Sequence, residues 1–544
     1  MNSIWILAAA ILGMAVAYRF YGRYLSRLFG VDENRKTPAH EQSDGVDFVP
    51  AKNWMVLFGH HFSAIAGAGP VIGPVLACAY WGWGPALLWV LFGSAFLGGV
   101  HDFSTLIVSI RSRGNSVGEI ACAEISKRAR LLFLIFIWLA LILIVAVFSL
   151  FTAQTFIAEP DAVLPSYGLI PVAMLVGWLA YRREWNMNLV TGLGVGLLVF
   201  LLWLGTKVPV KLGMVAGLEP LTVWILSLLV YCFFASVLPV QLLLQPRDYI
   251  ASYLLFAAVA LGTAGVLITH PDFTSPFARA FAPADWKDAG WLWPMLFVTV
   301  ACGAISGFHS LVSSGTSSKQ IPSEKYALRI TYGGMLLEGF VAVLVIIAVA
   351  AGLSHAELSG TLRAAGPIQV FGRGFGAITR PIFGDYGGPF AVLVLNAFVL
   401  TTLDASTRIG RYLTSELFGI KNKYVSTLIV ITVSAALALT GQWNRIWPAF
   451  GAANQLIAGL ALLVTSCWLL HRGRSFWATL IPAVLMLLTT IAAFVFQCVS
   501  ALHRRSGGRP DPDYLIAGIA IVMIAVSAVI AFEAFSVLRS RKPA

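Results

Sequence analysis

The sequence predicts an all-α, polytopic membrane protein of about fifteen transmembrane helices, on three observations. Of its 544 residues, 58% are hydrophobic and only 11% charged, against about 25% charged in soluble domains, and mean hydropathy is +0.82. The apolar residues come in runs near the roughly 20 needed to cross a bilayer. Basic residues gather in alternate gaps between those runs. Too little charge remains to coat several soluble domains. Disorder, a disulfide scaffold and nucleic-acid binding are excluded on composition, and the net charge of +12 is no nucleic-acid signal because the basic residues sit between apolar runs.

In chain order the expected spans are 2–18, 54–80, 85–109, 131–157, 165–181, 187–206, 220–242, 249–269, 290–314, 327–352, 388–410, 424–441, 445–470, 476–499 and 514–538. The first resembles a secretory signal, but Arg19, Arg23 and Arg27 follow its apolar run instead of preceding it, so it reads as an uncleaved span. With the N-terminus outside, 26 of the 37 Lys and Arg residues fall on the inside, the last being Arg541 and Lys542. The positive-inside rule therefore favours a periplasmic N-terminus and a cytoplasmic C-terminus. The six cysteines form no CxxC pair and read as small buried hydrophobes. The longest gaps are 19–53, a cytoplasmic loop, and 353–387, an outside loop whose GxGxG at Gly372, Gly374 and Gly376 follows no strand and binds no nucleotide. Many helices, short loops, no Walker A motif and no catalytic domain describe a secondary transporter, not an enzyme.

Helices that break at membrane depth surround cavities. The second span carries His60, His61, Ser63, Gly67, Gly69, Pro70 and Pro74. Pro70 removes a backbone donor and Gly67 and Gly69 unwind cheaply, so a hinge over the solute is expected there; a kinked packing helix is the alternative. The seventh span ends with Pro239 between Ser236 and Gln241, Gln245 and Pro246. Two broken, antiparallel helices five spans apart suggest an inverted five-plus-five repeat. These two segments and His309 form the candidate solute site. The ninth span closes on Ser313, Ser314, Thr316, Ser317 and Lys319. Those hydroxyls either bond back to their own helix or, as hard oxygen ligands, hold a coupling cation against carbonyls near Ala66 and Gly67. An ammonium at Lys319 would replace sodium there and leave a proton-driven system.

At these motifs the chain resembles the carbon starvation protein A family. The resemblance rests on Gly59-His60-His61-Phe62, Gly99-Val100-His101-Asp102-Phe103, Gln245-Pro246-Arg247-Asp248-Tyr249, Ser310 to Gln320, and Thr402-Leu403-Asp404-Ala405-Ser406-Thr407-Arg408. It implies a LeuT-type core and a solute symporter of the bacterial inner membrane, made when preferred carbon runs short, moving pyruvate or short peptides. Residues 1–53 would then hold the first helix and a cytoplasmic loop, 54–412 the ten-helix core and 413–544 accessory helices. A sensor or channel subunit is the reading outside transport.

Ionisable residues in spans are expensive and functional by default. His101, Asp102, Glu338 and Asp404 join the coupling candidates, and His60 or His61 is expected to carry the proton, because histidine titrates near neutrality. Asp404 and Arg408 are four apart and expected to pair along one helix. No cofactor is expected, only H+ or Na+ as coupling ion; the partners are a small organic acid or short peptide and the lipid bilayer. A metal held by His60, His61, His101 and Asp102 is a minor alternative, since no HxxxH or HExxH string exists.

Overall fold

The computed structural model describes residues 1–286, 289–440, 443–506 and 509–540. Among them the regular structure is helical apart from a short ladder pairing Arg505–Ser506 with Arg509–Pro510 and two isolated bridges. The helices are α1 (Ser3–Phe29), α2 (Trp54–Ile65), α3 (Gly69–Tyr80), α4 (Trp83–Arg111), α5 (Lys127–Ala158), α6 (Pro160–Arg182), α7 (Met187–Lys207), α8 (Pro220–Val237) and α9 (Leu244–Thr269). Then follow α10 (Gly307–Gly315), α11 (Glu324–Ala351), α12 (His355–Phe383), α13 (Gly387–Phe418), α14 (Lys423–Leu439), α15 (Trp443–His471), α16 (Trp477–Leu502) and α17 (Tyr514–Ser540). Among the described residues twelve stretches are long and apolar enough to cross a membrane, thirteen if α2 and α3, bent by 42°, count as one span. The chain is a multi-pass membrane protein.

The count differs from the expected fifteen at identifiable places. Residues 290–314 are not one helix: helical turns at Leu292–Thr299 and α10 flank a non-helical stretch. The span expected at 424–441 is the 17-residue α14, shorter than a full crossing, and residue 441 lies outside the described residues, as do Arg541 and Lys542. The expected outside loop at 353–387 is α12. It starts on a capping box, with Ser354 Oγ accepting from Glu357 N and Glu357 Oε2 accepting from Ser354 N. It bends at Gly366, whose φ of +80° suits glycine alone. Its GxGxG is a packing seam that lets α12 close on α11 and α13, as small residues do in membranes.

The core forms where α2 packs on α9, α3 on α11, and α5 on α13. α10 is enclosed by α4 and α15. α15, expected as accessory, is 94% buried over Phe450–His471, whereas α7 and α17 are 22% buried and form the apolar rim.

Candidate functional site

The first break lies where the glycines and Pro70 predict it. Between α2 and α3 the Gly67 amide turns back to Ile65 O, so the carbonyl of Ser63 loses its usual helical donor. Two hydroxyls of α13 replace it: Thr401 Oγ1 donates to Ser63 O at 2.7 Å and Thr402 Oγ1 to Ala64 O at 3.0 Å. The second break is not at Pro239. That proline sits in the turn after α8, where Arg408 Nη2 caps the carbonyls of Ala235 and Leu238; the proline ends a helix instead of interrupting one. The second interrupted helix is the hydroxyl-rich one, at residues 300–306.

The two breaks touch. A Cβ on Gly69 would stand 2.2 Å from Cys302 Sγ, and one on Gly73 2.5 Å from Thr299 O. Between them opens a cavity of about 450 Å³. Cys302 and Asn454 form its polar floor, Phe148 and Phe450 its walls, and Trp286 and Arg363 its mouth. Asn454 ties α15 to the start of α10: its Nδ2 donates to Ser306 Oγ at 2.9 Å and its Oδ1 accepts from Phe308 N at 2.8 Å. At the mouth the Arg363 guanidinium lies 4.6 Å from the centroid of the Trp286 ring. Arg279 donates to both oxygens of Asp285 at 3.0 and 2.9 Å.

The opposite end is closed. The 30–53 loop is bonded into the bundle by Ala51 N to Gln320 O and Val240 N to Val46 O. Asp47 accepts from Arg408 Nη1 at 2.7 Å and Arg411 Nη2 at 2.8 Å. Burial pushes the Asp47 carboxyl up, but Arg411 and Arg408 outweigh it and hold the group below the usual carboxylate range. Glu324 binds Arg111 at 3.0 Å beside the same loop. Asp404 and Arg408 therefore do not pair with each other. Asp404 takes Arg247 and the Tyr231 hydroxyl, the latter at 2.5 Å, because each buried charge finds an interhelical partner that satisfies it better than its i+4 neighbour.

The expected polar residues divide into two buried groups. His60 Nδ1 lies 2.7 Å from Asp248 Oδ2, and Ser63 Oγ donates to Asp248 O. Gln320 Nε2 meets His60 Nε2 at 3.3 Å, and Gln245 bridges Gln320 and Tyr181. This group sits behind the closed end. The other group joins three helices: His101 Nδ1 to Asp102 Oδ1 at 2.8 Å, His309 Nδ1 to Asp102 Oδ2 at 2.9 Å, and His309 Nε2 to Glu338 Oε2 at 3.1 Å. The last is an ion-pair contact without hydrogen-bond alignment, and both Glu338 oxygens otherwise lack a donor among the described residues.

Several assignments move. Gln241 donates to Gly45 O in the closed-end loop, away from the cavity. Ser314 and Thr316 bond back to Ser310 O and Val312 O, and Ser317 Oγ meets His61 Nδ1 at 2.8 Å. Ser313 Oγ has no partner among the described residues. The hydroxyls over the first break's carbonyls are those of Thr401 and Thr402, and Lys319 Nζ lies 3.7 Å above the Tyr412 ring, so it does not replace a cation at the break. His60 pairs with Asp248, His61 with Ser317, and His101 and Asp102 with each other, so the four do not converge. Among the described residues no group of three or more His, Cys, Asp or Glu is placed to hold a metal. Sequence reasoning missed Asn454, Arg363, Thr401 and Asp47, and named Thr402 only within a family motif, with no role. Asn454 alone carried a clear signal, as an amide within an apolar run.

The family model for the carbon starvation protein CstA matches residues 2–365 and 353–493. The Escherichia coli peptide transporter CstA is 33% identical over 90% of this chain and 80% of its own length. Its Campylobacter jejuni counterpart is 32% identical over 90% and 79%. The Escherichia coli pyruvate/proton symporter BtsT is 30% identical over 93% and 83%. Among solved structures, a mutant manganese transporter of Eremococcus coleocola aligns over 91% of this chain and 99% of its own, with a TM-score of 0.53 at 12% identity, a likeness of fold.

Proposed function

This chain belongs to the carbon starvation protein CstA family and is a transporter, and from that premise we propose that it takes up a small carboxylate such as pyruvate together with a proton. The observation that carries this reading is the one-sided cavity between two helix breaks, with the far end closed by the Asp47, Arg408 and Arg411 cluster. A solute bound between breaks is released on the other side when the breaks rearrange, the logic of a LeuT-type core. With the N-terminus periplasmic, the cavity faces the periplasm and the closed end the cytoplasm of a bacterial inner membrane. Arg363 at the mouth and Asn454 on the floor suit an anion that needs one charge and a few polar contacts.

Proton coupling fits a relative named as a pyruvate/proton symporter. One proton with one monoanion moves no net charge, so the pH gradient alone drives accumulation. A second cation would add about 2.3 kcal/mol per charge per 100 mV of potential. Di- and tripeptide uptake is the second reading, favoured by the relatives named as peptide transporters and by a cavity volume that admits a dipeptide. Counterflow in proteoliposomes separates the two: pyruvate outside should drive efflux of labelled pyruvate, and peptides should not. Peptide-driven counterflow without a pyruvate response would replace the carboxylate reading. Pyruvate entry that neither a proton nor a sodium gradient can concentrate would make the protein a channel.

A further inference from the structure

The buried group around His309 has no role in closing either end, and its geometry bears on the coupling ion. His309 sits in the first turn of α10, directly after the second break, and presents a ring nitrogen to each of two carboxylates, Asp102 on α4 and Glu338 on α11. Neutral imidazole has one donor and one acceptor, while an ionised carboxylate only accepts. Facing two carboxylates, the ring leaves one contact repulsive unless the group holds an extra proton. Asp102 accepts from both His101 and His309, so its charge is satisfied. Neither Glu338 oxygen has a hydrogen-bond partner among the described residues, and its 3.1 Å contact with His309 Nε2 is an ion-pair contact alone.

A charge count follows. With His101 neutral, Asp102 and Glu338 ionised and His309 doubly protonated, the group carries one net negative charge, costly where no water solvates it. One further proton, on a Glu338 oxygen, makes it neutral. The site thus has two states that differ by a single proton, with no other covalent change.

Its position links that proton to the breaks. On α11, Gly334, Glu338 and Ala342 are one turn apart. A Cβ on Gly334 would approach the His61 ring, and one on Gly303, in the second break, would stand 2.8 Å from Ala342 Cβ. The groups facing His309 are His101 and Asp102 from α4, Glu338 from α11, His61 from α2 within electrostatic reach, and the thiol of Cys302 from the break, itself within reach of Glu338. α15 brings the Asn454 amide to the start of α10, α13 meets α10 through Ile409 against Gly315, and Val117 N approaches Ser314 Oγ. Cys302 and Asn454 floor the cavity, so the carboxylate solute and Glu338 stand on two sides of one break.

We propose that His309 and Glu338, set against Asp102, form the proton-carrying site, and that His60 and His61 do not. His60 is held by Asp248 and Gln320 behind the closed end, and His61 by Ser317. This assignment rests on the proton-coupled reading. The test uses the full chain in proteoliposomes with pyruvate, in sodium-free buffer, under an imposed pH gradient. Glu338→Gln should lower steady-state accumulation by about tenfold or more while retaining measurable exchange whose pH dependence is flattened. His309→Gln should do the same, and a His60→Gln, His61→Gln double variant should still accumulate. Accumulation by Glu338→Gln as steep as the parent's overturns the assignment. If the parent itself does not respond to the pH gradient, proton coupling fails, a separate result. Should Glu338→Gln lose exchange entirely, Glu338→Asp decides: a displaced pH profile supports the site, and the parent's profile overturns it.

Discussion

The two ends of the helix bundle are built from different chemistry. At the end carrying the start of α12, the cavity between the breaks is walled by aromatic rings, and Arg363 over its opening stacks on Trp286. At the other end a loop is folded into the bundle and fixed by charge: Asp47 against Arg408 and Arg411, and Glu324 against Arg111. Both arginines that hold Asp47 are nearly fully buried. The contrast teaches that this conformation is held by the closed end. Ion pairs can be exchanged for other partners or for water when the end opens, whereas apolar packing would have to be remade. A protein that must open at each end in turn puts its reversible contacts where it is shut.

The largest expected effect comes from the junction both ends share. Gly69→Leu drives a side chain into Cys302, where even a Cβ would stand 2.2 Å from the sulfur. Transport should fall by about a hundredfold or more, as expected when packed backbones are forced apart, while size-exclusion chromatography shows the protein still monodisperse. Normal counterflow by this variant would remove the two breaks from the account.

Next is the closed end. Asp47→Ala leaves Arg408 and Arg411 without their carboxylate. Since Asp47 keeps 15% exposure, the cost should lie near or below the low end of the about 3–5 kcal/mol typical of a broken buried pair. It is measured as a drop in melting temperature and faster hydrogen exchange over residues 42–53. The sign of the pH dependence follows from the carboxyl being held low. Its stabilisation is fully present above its unfolded value of about 3.9 and is lost as pH falls through the lower folded value. The gap between parent and variant should therefore be constant from pH 7 to about 5 and shrink only below about 4. A gap that closes near pH 6 would mean another group holds the loop.

The smallest effect belongs to the open end. Arg363→Gln should raise the apparent KM for pyruvate by about three- to tenfold with little change in maximal rate, and less so at high salt, because an exposed cation acts by attraction over distance. An unchanged KM would make the mouth indifferent to charge.

Much of this was legible in the sequence, for reasons that also explain the gaps. Apolar runs mark membrane helices because lipid imposes one length and one composition. Gly67, Gly69 and Pro70 mark the first break because the residues themselves disfavour helix. The second break has no such mark: Val300 to Ser306 contains no proline and one glycine. It is interrupted by tertiary bonds, Asn454 drawing off Phe308 N and Ser306 Oγ from 146 and 148 residues away. Local spacing misled at Asp404 and Arg408, where four residues predict a pair and three-dimensional neighbours compete. It also misled at Ser314 and Thr316, whose density suggested an ion site and whose hydroxyls bond their own helix. α12 starts on the Ser354 and Glu357 cap, a local signal that reading 353–387 as a loop left unused.

The central claim is that the solute sits between the two breaks and is reached from one end. The most direct measurement is modification of Cys302, on the cavity floor, by a membrane-impermeant thiol reagent, with the other five cysteines replaced by serine in a variant that still transports. The account predicts that Cys302 reacts from the outer side alone and that saturating pyruvate slows the reaction by about tenfold or more. Reaction at the same rate with and without pyruvate, or no reaction from the outer side, would contradict it.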